Sequence, residues 1–212
     1  MFSRDRRADG IIVYHADVEL LVNSFFEKRV EQLFELADRI ENAFAAAGLD
    51  YAVIGGLAAY VYVEDREPDA GRLTKDIDIL VRREDLDAIA KAVEPFGLQY
   101  RHVAGVDMLV QAGAPSARRA VHMVFSGEKV RLDYPEPTPE LRRSRLMNGV
   151  RLVPLLDLIR MKLNSFRAKD ETHINDLDEI GLITPEMENE LLPLHRQRLE
   201  QARLRGGRSL RE

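Results

Sequence analysis

Two aspartates separated by one residue, Asp76 and Asp78, are the side chains best suited to chemistry in this sequence. They open the stretch Asp76–Val81, where polar and apolar residues alternate as in a strand with one exposed face. Side chains two residues apart on a strand share a face, so these two carboxylates point the same way and repel each other. A divalent cation relieves that repulsion, because Mg²⁺ takes oxygen ligands from one or two carboxylates together with water and phosphate. The pair therefore indicates a Mg²⁺ or Mn²⁺ site, although the same spacing also occurs on ordinary solvated strands.

A glycine pair, Gly55 and Gly56, lies between a predicted strand, Tyr51–Ile54, and a predicted helix that begins near Leu57. Glycine has no Cβ atom, so a phosphate group can approach the backbone closely at this point. The start of the helix would also offer unpaired backbone N–H groups to the phosphate. Alone, two glycines indicate only a turn, but this position between strand and helix favours nucleotide binding.

Asp133 is the candidate for a third carboxylate. It lies late in a predicted strand, Lys129–Tyr134, from which it could reach a metal held on a neighbouring strand. Glu128 and Asp107 compete for the role on predicted strands nearby, and Asp133 lies between two apolar residues, Leu132 and Tyr134, whereas Glu128 lies between Gly127 and Lys129. We therefore expect Asp133 to complete the acidic site.

Taken together, these motifs resemble the nucleotidyltransferase superfamily that includes DNA polymerase β. The fuller stretches Gly55–Ala59 and Arg72–Asp78 resemble the bacterial branch that contains the AbiEii-type toxin nucleotidyltransferases. The likeness extends over roughly residues 50 to 182, because that branch carries a basic helix after its catalytic sheet. The residues that match this helix are Met161–Leu163, Arg167, Lys169–Asp170 and Asp176–Leu177.

The resemblance implies an enzyme that transfers a nucleoside monophosphate from a nucleoside triphosphate to a hydroxyl group. Asp76, Asp78 and Asp133 would hold the metal and act in catalysis. The residues implied to contact the nucleotide are Gly55, Gly56, Arg72, Thr74, Lys75 and Lys162. Arg72 and Lys75 could instead be plain ion-pair partners, and Lys162 could lie on a solvated helix face. The acceptor is open and could be RNA, protein or a small molecule.

Composition limits the remaining possibilities. The chain has 212 residues, no cysteine and a net charge of −5, which excludes disulfides and thiolate metal sites and argues against general nucleic-acid coating. No apolar run approaches the length of a membrane span, so we expect a cytoplasmic protein without membrane partners. One compact unit is expected from three segments: an N-terminal helical segment (1–48), a nucleotidyltransferase core (49–154) and a C-terminal helical segment (155–212). The fold class is predicted to be α/β or α+β, a mixed sheet flanked by helices.

Two other functions remain open. The chain could be a nucleotide-binding or partner-binding module that keeps the fold without turnover, such as one half of a toxin–antitoxin or phage-defence pair with a cognate partner protein. It could also bind RNA through a basic C-terminal segment, although such a run is usually a solvated helix with a frayed end. The arginines of that segment are Arg196, Arg198, Arg203, Arg205, Arg208 and Arg211. Gly206 and Gly207 predict a flexible exit from the last helix.

Overall fold

A seven-stranded mixed sheet flanked by helices forms the body of the protein. The structure, a computed structural model, describes residues 8–113, 120–142 and 144–209, with side chains from Lys28 to Gly207. The helices are α1 (Ala8–Ala47), α2 (Gly55–Arg66), α3 (Leu86–Val93), α4 (Leu155–Ser165), α5 (Ala168–Glu179), α6 (Pro185–Asn189) and α7 (Pro193–Ser209). The strands are β1 (Ala52–Ile54), β2 (Ile77–Val81), β3 (Leu98–Val103), β4 (Val106–Gln111), β5 (Val121–Phe125), β6 (Arg145–Met147) and β7 (Val150–Leu152).

The strand order across the sheet is β3-β4-β5-β2-β1-β7-β6. The pairs β2–β5 and β1–β7 are parallel, and the other neighbours are antiparallel. The predicted mixed sheet is therefore confirmed, with β2 and its aspartates near the centre. A central strand has neighbours on both sides, so its residues can meet functional groups from two other strands.

Apolar periodicity explains how the helices pack on the sheet. The single helix α1 buries Leu33, Ala37, Ile40 and Phe44, which recur at helical spacing. Buried residues of α4, α5 and α7 join the same core as those of α1 and the sheet. In the described part of the chain, no helix is long and apolar enough to cross a membrane.

The expected strand over residues 129–134 is absent, and turns occupy this stretch. The reason is that its apolar residues are not buried: Leu132 is 95% exposed and Val130 is also exposed. Without burial, an alternating pattern has no sheet face on which to pack. The next strands along the chain are instead β6 and β7, which form an antiparallel hairpin.

The C-terminal helix also differs from the prediction, because α7 continues through Gly206 and Gly207 to Ser209. A Cβ atom on Gly206 would lie 2.6 Å from Nδ2 of Asn175, so this glycine permits close contact between α7 and α5. The prediction that the chain leaves the last helix at Gly206 is therefore wrong.

Several arginines of α7 are engaged within the fold. Arg203 contacts Asp178 and Glu188, and Arg205 contacts Glu171. Arg198 donates to two backbone carbonyl groups at the end of α4. The side chains of Arg208 and Arg211 lie outside the described residues. Because these three arginines already have protein partners, the case for an RNA-binding C-terminal segment is weaker.

Candidate active site

Asp76 and Asp78, which we call the acidic pair, lie at the start of β2. Asp76 immediately precedes the strand and Asp78 is its second residue. Ile77 and Ile79 are completely buried, whereas the Asp78 side chain is 31% exposed. The expected alternation is therefore present, with the isoleucines in the core and the Asp78 carboxylate accessible to ligands.

The glycine pair packs directly against this strand. Strand β1 is antiparallel to β2 with Ile54 opposite Asp78, so Gly55 begins α2 beside the Asp78 carboxylate. Gly55 has φ +69°, and a Cβ atom there would lie 2.1 Å from Oδ2 of Asp78. A Cβ atom on Gly56 would lie 2.5 Å from Oγ1 of Thr74. We call these four residues, Gly55, Gly56, Thr74 and Asp78, the glycine junction, because only glycine fits where the backbone and side chains approach so closely.

The start of α2 leaves its first backbone N–H groups available. No side chain caps the helix at Ile54, and its first turn contains no acidic residue. Thr74 Oγ1 donates to the backbone carbonyl of Asp76 at 3.3 Å, which ties the loop before β2 to the acidic pair. A helix start of this kind is a suitable place for a phosphate group.

Arg72 and Lys75 lie in the same loop but differ in their partners. The Nε atom of Arg72 donates to both carboxylate oxygens of Asp176, at 2.9 and 2.8 Å, which matches the ion-pair alternative for this residue. Lys75 is exposed next to Asp76. Arg72 therefore links the loop to α5, and Lys75 stays the freer candidate for contact with a ligand.

His122 is a site residue that the sequence analysis did not assign. It lies on β5 directly opposite Asp78 in the parallel β2–β5 pair, and its Nδ1 atom is 3.3 Å from Asp78 Oδ1. The hydrogen bond to Asp78 raises the pKa of His122 above its ordinary value, and partial burial opposes that rise. The local signal was a polar residue between Val121 and Met123 in a strand. The decisive signal, parallel pairing with β2, is not visible in the sequence.

Lys162 lies on α4 with only 4% of its side chain exposed. Its Nζ atom donates to Nδ1 of His173 at 2.8 Å and lies 3.8 Å from Oδ1 of Asp170. Burial lowers the pKa of Lys162 to about 8, against the opposing charges of Asp170 and Asp78. The alternative of a solvated helix face is wrong for Lys162, because its side chain is buried.

Asp133 is exposed in the turn that follows β5. Its two competitors have other partners: Glu128 pairs with Arg83, and Asp107 accepts from Tyr100. Within the described residues, no group of three or more histidine or carboxylate side chains is arranged to hold a metal ion. The role of Asp133 as third carboxylate stays a prediction that rests on the resemblance.

Comparison with known proteins adds evidence about the fold. The sequence matches no protein family model and no curated protein. An antigenic nucleotidyltransferase-like protein from Paracoccidioides brasiliensis has a similar structure, with a TM-score of 0.50 and 18% identity over 84% of this chain and 88% of the other. The chain has a nucleotidyltransferase fold.

Two further solved structures are similar to a lesser degree. The antibiotic-resistance factor ANT(2'')-Ia has a TM-score of 0.45 and 16% identity over 84% of this chain and 91% of its own. The Megavirus polyadenylate synthase has a TM-score of 0.46 and 11% identity over 85% of this chain and 38% of its own. At such identities the likeness concerns the fold alone, and function must be argued from the site.

The carboxylate oxygens of the acidic pair are suited to bind a hard divalent cation. Carboxylate oxygens are the ligands that Mg²⁺ and Mn²⁺ prefer, and both members of the acidic pair are partly accessible. Mg²⁺ is usually held by one or two carboxylates plus substrate phosphates, not by a closed protein cage. The acidic pair therefore fits a cation that arrives with a triphosphate, without needing a preformed cluster of three ligands.

Proposed function

We propose that this chain is a metal-dependent nucleotidyltransferase that moves a nucleoside monophosphate from a nucleoside triphosphate to a hydroxyl acceptor. The glycine junction is the observation that carries the proposal. It brings the start of α2 into contact with Asp78, so a phosphate-binding backbone and a metal-binding carboxylate meet at one point.

Each residue has a defined task in the proposed reaction. Asp76 and Asp78 would hold Mg²⁺ or Mn²⁺, and the bound ion would supply positive charge to the phosphates and to the acceptor oxygen. Backbone N–H groups at Gly55 and Gly56 would bind phosphate oxygens, and Lys162 would add positive charge from the α4 side. The acceptor oxygen forms a bond to the α-phosphorus, the bond from that phosphorus to pyrophosphate breaks, and the hydroxyl proton is released. Asp133 remains the proposed third carboxylate.

Label transfer tests this function. The purified chain is incubated with Mg²⁺ or Mn²⁺, total cellular RNA or protein, and each nucleoside triphosphate labelled at either the α- or the γ-phosphate. We expect label from the α-phosphate alone to enter an acceptor, with release of pyrophosphate. Transfer of label from the γ-phosphate would indicate a kinase and contradict the proposal. The proposal would also be contradicted if none of the nucleoside triphosphates binds to the chain.

A nucleotide-binding or partner-binding module is the second candidate. The exposed position of Asp133 favours it, because no three histidine or carboxylate side chains of the described residues are grouped to hold a metal ion. Such a module would bind a triphosphate with Mg²⁺ but transfer no label to any acceptor, and it would associate with a cognate partner protein, as in a toxin–antitoxin pair. The label-transfer experiment and calorimetric nucleotide binding together separate the two candidates.

A further inference from the structure

Lys162 is held by residues of the next helix. Its ammonium group donates to His173 and lies near Asp170, both on α5. The side chains of Lys162 and Asp170 are each only 4% exposed. Burial and the positive charge of Lys162 lower the pKa of His173 to about 4. The ring is therefore neutral, and its Nδ1 atom can accept a hydrogen bond from Lys162.

Asp170 is itself fixed in place. It accepts hydrogen bonds from Ser165 Oγ at 2.7 Å and from Nε of Arg167 at 2.8 Å. It also accepts from the backbone N–H of Arg167 at the start of α5. A carboxylate with this many donors has little freedom to move, so its charge faces Lys162 at a constant position.

The Lys162 ammonium group makes few hydrogen bonds within the protein. Among the described residues, its one hydrogen bond goes to His173, and Asp170 at 3.8 Å is beyond hydrogen-bond distance. Lysine has three N–H donors, and the described side chains engage one of them in a hydrogen bond. The Arg72–Asp176 pair joins α5 to the loop before the acidic pair, and the negative charge of Asp78 acts on the ammonium group.

We propose that His173 and Asp170 are positioning residues, which hold the Lys162 ammonium in one orientation so that its remaining N–H groups meet the phosphates of a nucleotide bound at the acidic pair. This inference rests on the proposed function. His173 sets the direction of the ammonium through a hydrogen bond without adding charge. Asp170 keeps the lysine protonated without forming a close ion pair that would occupy its remaining donors.

Replacement of His173 tests the proposal in the full chain. The amide oxygen of His173→Asn can replace Nδ1, whereas His173→Leu removes the acceptor and His173→Gln displaces it by one bond. Calorimetry with ATP and Mg²⁺ is expected to show about tenfold weaker binding for the leucine and glutamine variants, and binding within about threefold of wild type for asparagine. His102→Asn is the matched control, because His102 also contacts an aspartate, on the β3–β4 hairpin.

Titration of the Lys162 side chain by NMR supplies a readout that does not need nucleotide. Its signal is assigned by its absence in Lys162→Arg. We expect a lower pKa in the leucine variant than in wild type, because the protonated form loses its acceptor, and a value near wild type for asparagine. If the leucine variant does not fold, the glutamine variant serves the same comparison.

The outcomes separate the two levels of inference. Equal ATP affinity and an unchanged Lys162 pKa in the leucine and glutamine variants would overturn the positioning role. If wild type binds no triphosphate, the proposed function fails, while the NMR titration still decides whether His173 holds the ammonium.

Discussion

The glycine junction and the turn that carries Asp133 represent two ways of placing a carboxylate. Asp78 lies on a central strand against Gly55, and its neighbours Ile77 and Ile79 are anchored in the core. Asp133 lies in an exposed turn beside Leu132, which is almost fully solvent-exposed. A carboxylate on a packed strand is held in one place, whereas a turn on the surface restrains its side chains weakly. The difference indicates that precise positioning in this site comes from the β1–α2 and β2 segments.

The largest effect is expected from Gly55→Ala. The new Cβ atom would overlap the Asp78 carboxylate in a left-handed backbone conformation, which together costs about 2–4 kcal/mol of folding free energy. Thermal denaturation should show a fall of about 5–15 °C, and calorimetry should show no binding of triphosphate with Mg²⁺. Gly48→Ala is a matched control, because Gly48 has φ +64° and a Cβ atom there would have no neighbour within 4 Å. Similar destabilisation by both substitutions would show that the close contact with Asp78 has no special importance.

Asp78→Asn should act on ligand binding without harming the fold. The amide keeps the shape and can still pair with His122, while removing one of two adjacent negative charges. We expect an apo melting temperature at least equal to that of wild type, and loss of both the Mg²⁺–ATP stabilisation and label transfer. Asp50→Asn, at an exposed ion pair with Arg82, is the control. Apo destabilisation by more than about 1 kcal/mol with ligand binding intact would mark Asp78 as a structural carboxylate.

The pH dependence of nucleotide binding tests whether Lys162 helps to bind phosphate at the glycine junction. The charged groups that act on the Lys162 ammonium are Asp78 on β2 and three residues near the start of α5: Asp170, Lys169 and Arg167. The ring of His173 is neutral. Lys162 is protonated below its pKa of about 8 and neutral above it, so its attraction for phosphate is present below that pH and is lost as pH rises through it. ATP affinity should therefore fall about tenfold between roughly pH 7 and 10 in wild type.

Two comparisons make this measurement specific to the lysine. Lys162→Arg stays charged over the whole range, so it should remove the pH dependence while keeping ATP binding. Lys162→Ala should weaken triphosphate binding more than monophosphate binding, since its proposed contacts are with the outer phosphates. Equal losses for the two nucleotides would reduce Lys162 to a structural role.

Asp133→Asn should have the smallest effect on stability and on nucleotide binding. Its exposed position predicts a change in folding free energy within about 0.5 kcal/mol. If the resemblance assigns it correctly, label transfer should still fall by at least about tenfold, as expected for loss of a group that acts in the chemical step. Glu140→Gln, an exposed carboxylate further along the same segment, is the control. An unchanged transfer rate would show that Asp133 has no part in the reaction, and the candidate site would then consist of the acidic pair and His122.

Local patterns were sufficient to predict much of the fold. Alternation at Ile77–Val81, the glycines at the start of α2 and the helical spacing in α1 and α4 each concern residues close together in the chain, and all of these elements are present. The strand expected around Asp133 failed for a physical reason, because the same alternation forms a strand only when one face is buried. The glycines at 206 and 207 also gave a wrong prediction, because α7 continues through both, and Gly206 lies against Asn175 of α5.

The chemistry available to this protein follows from its residue types and their spacing: paired carboxylates on a strand, a glycine pair between a strand and a helix, and no thiol ligand at all. Which of these groups meet depends on how the strands and helices pack. The parallel β2–β5 pairing brings His122 to Asp78, and packing of α4 on α5 buries Lys162 against His173. Such contacts join residues far apart in the chain, and their stability comes from burial in a shared core, which no short segment of sequence contains.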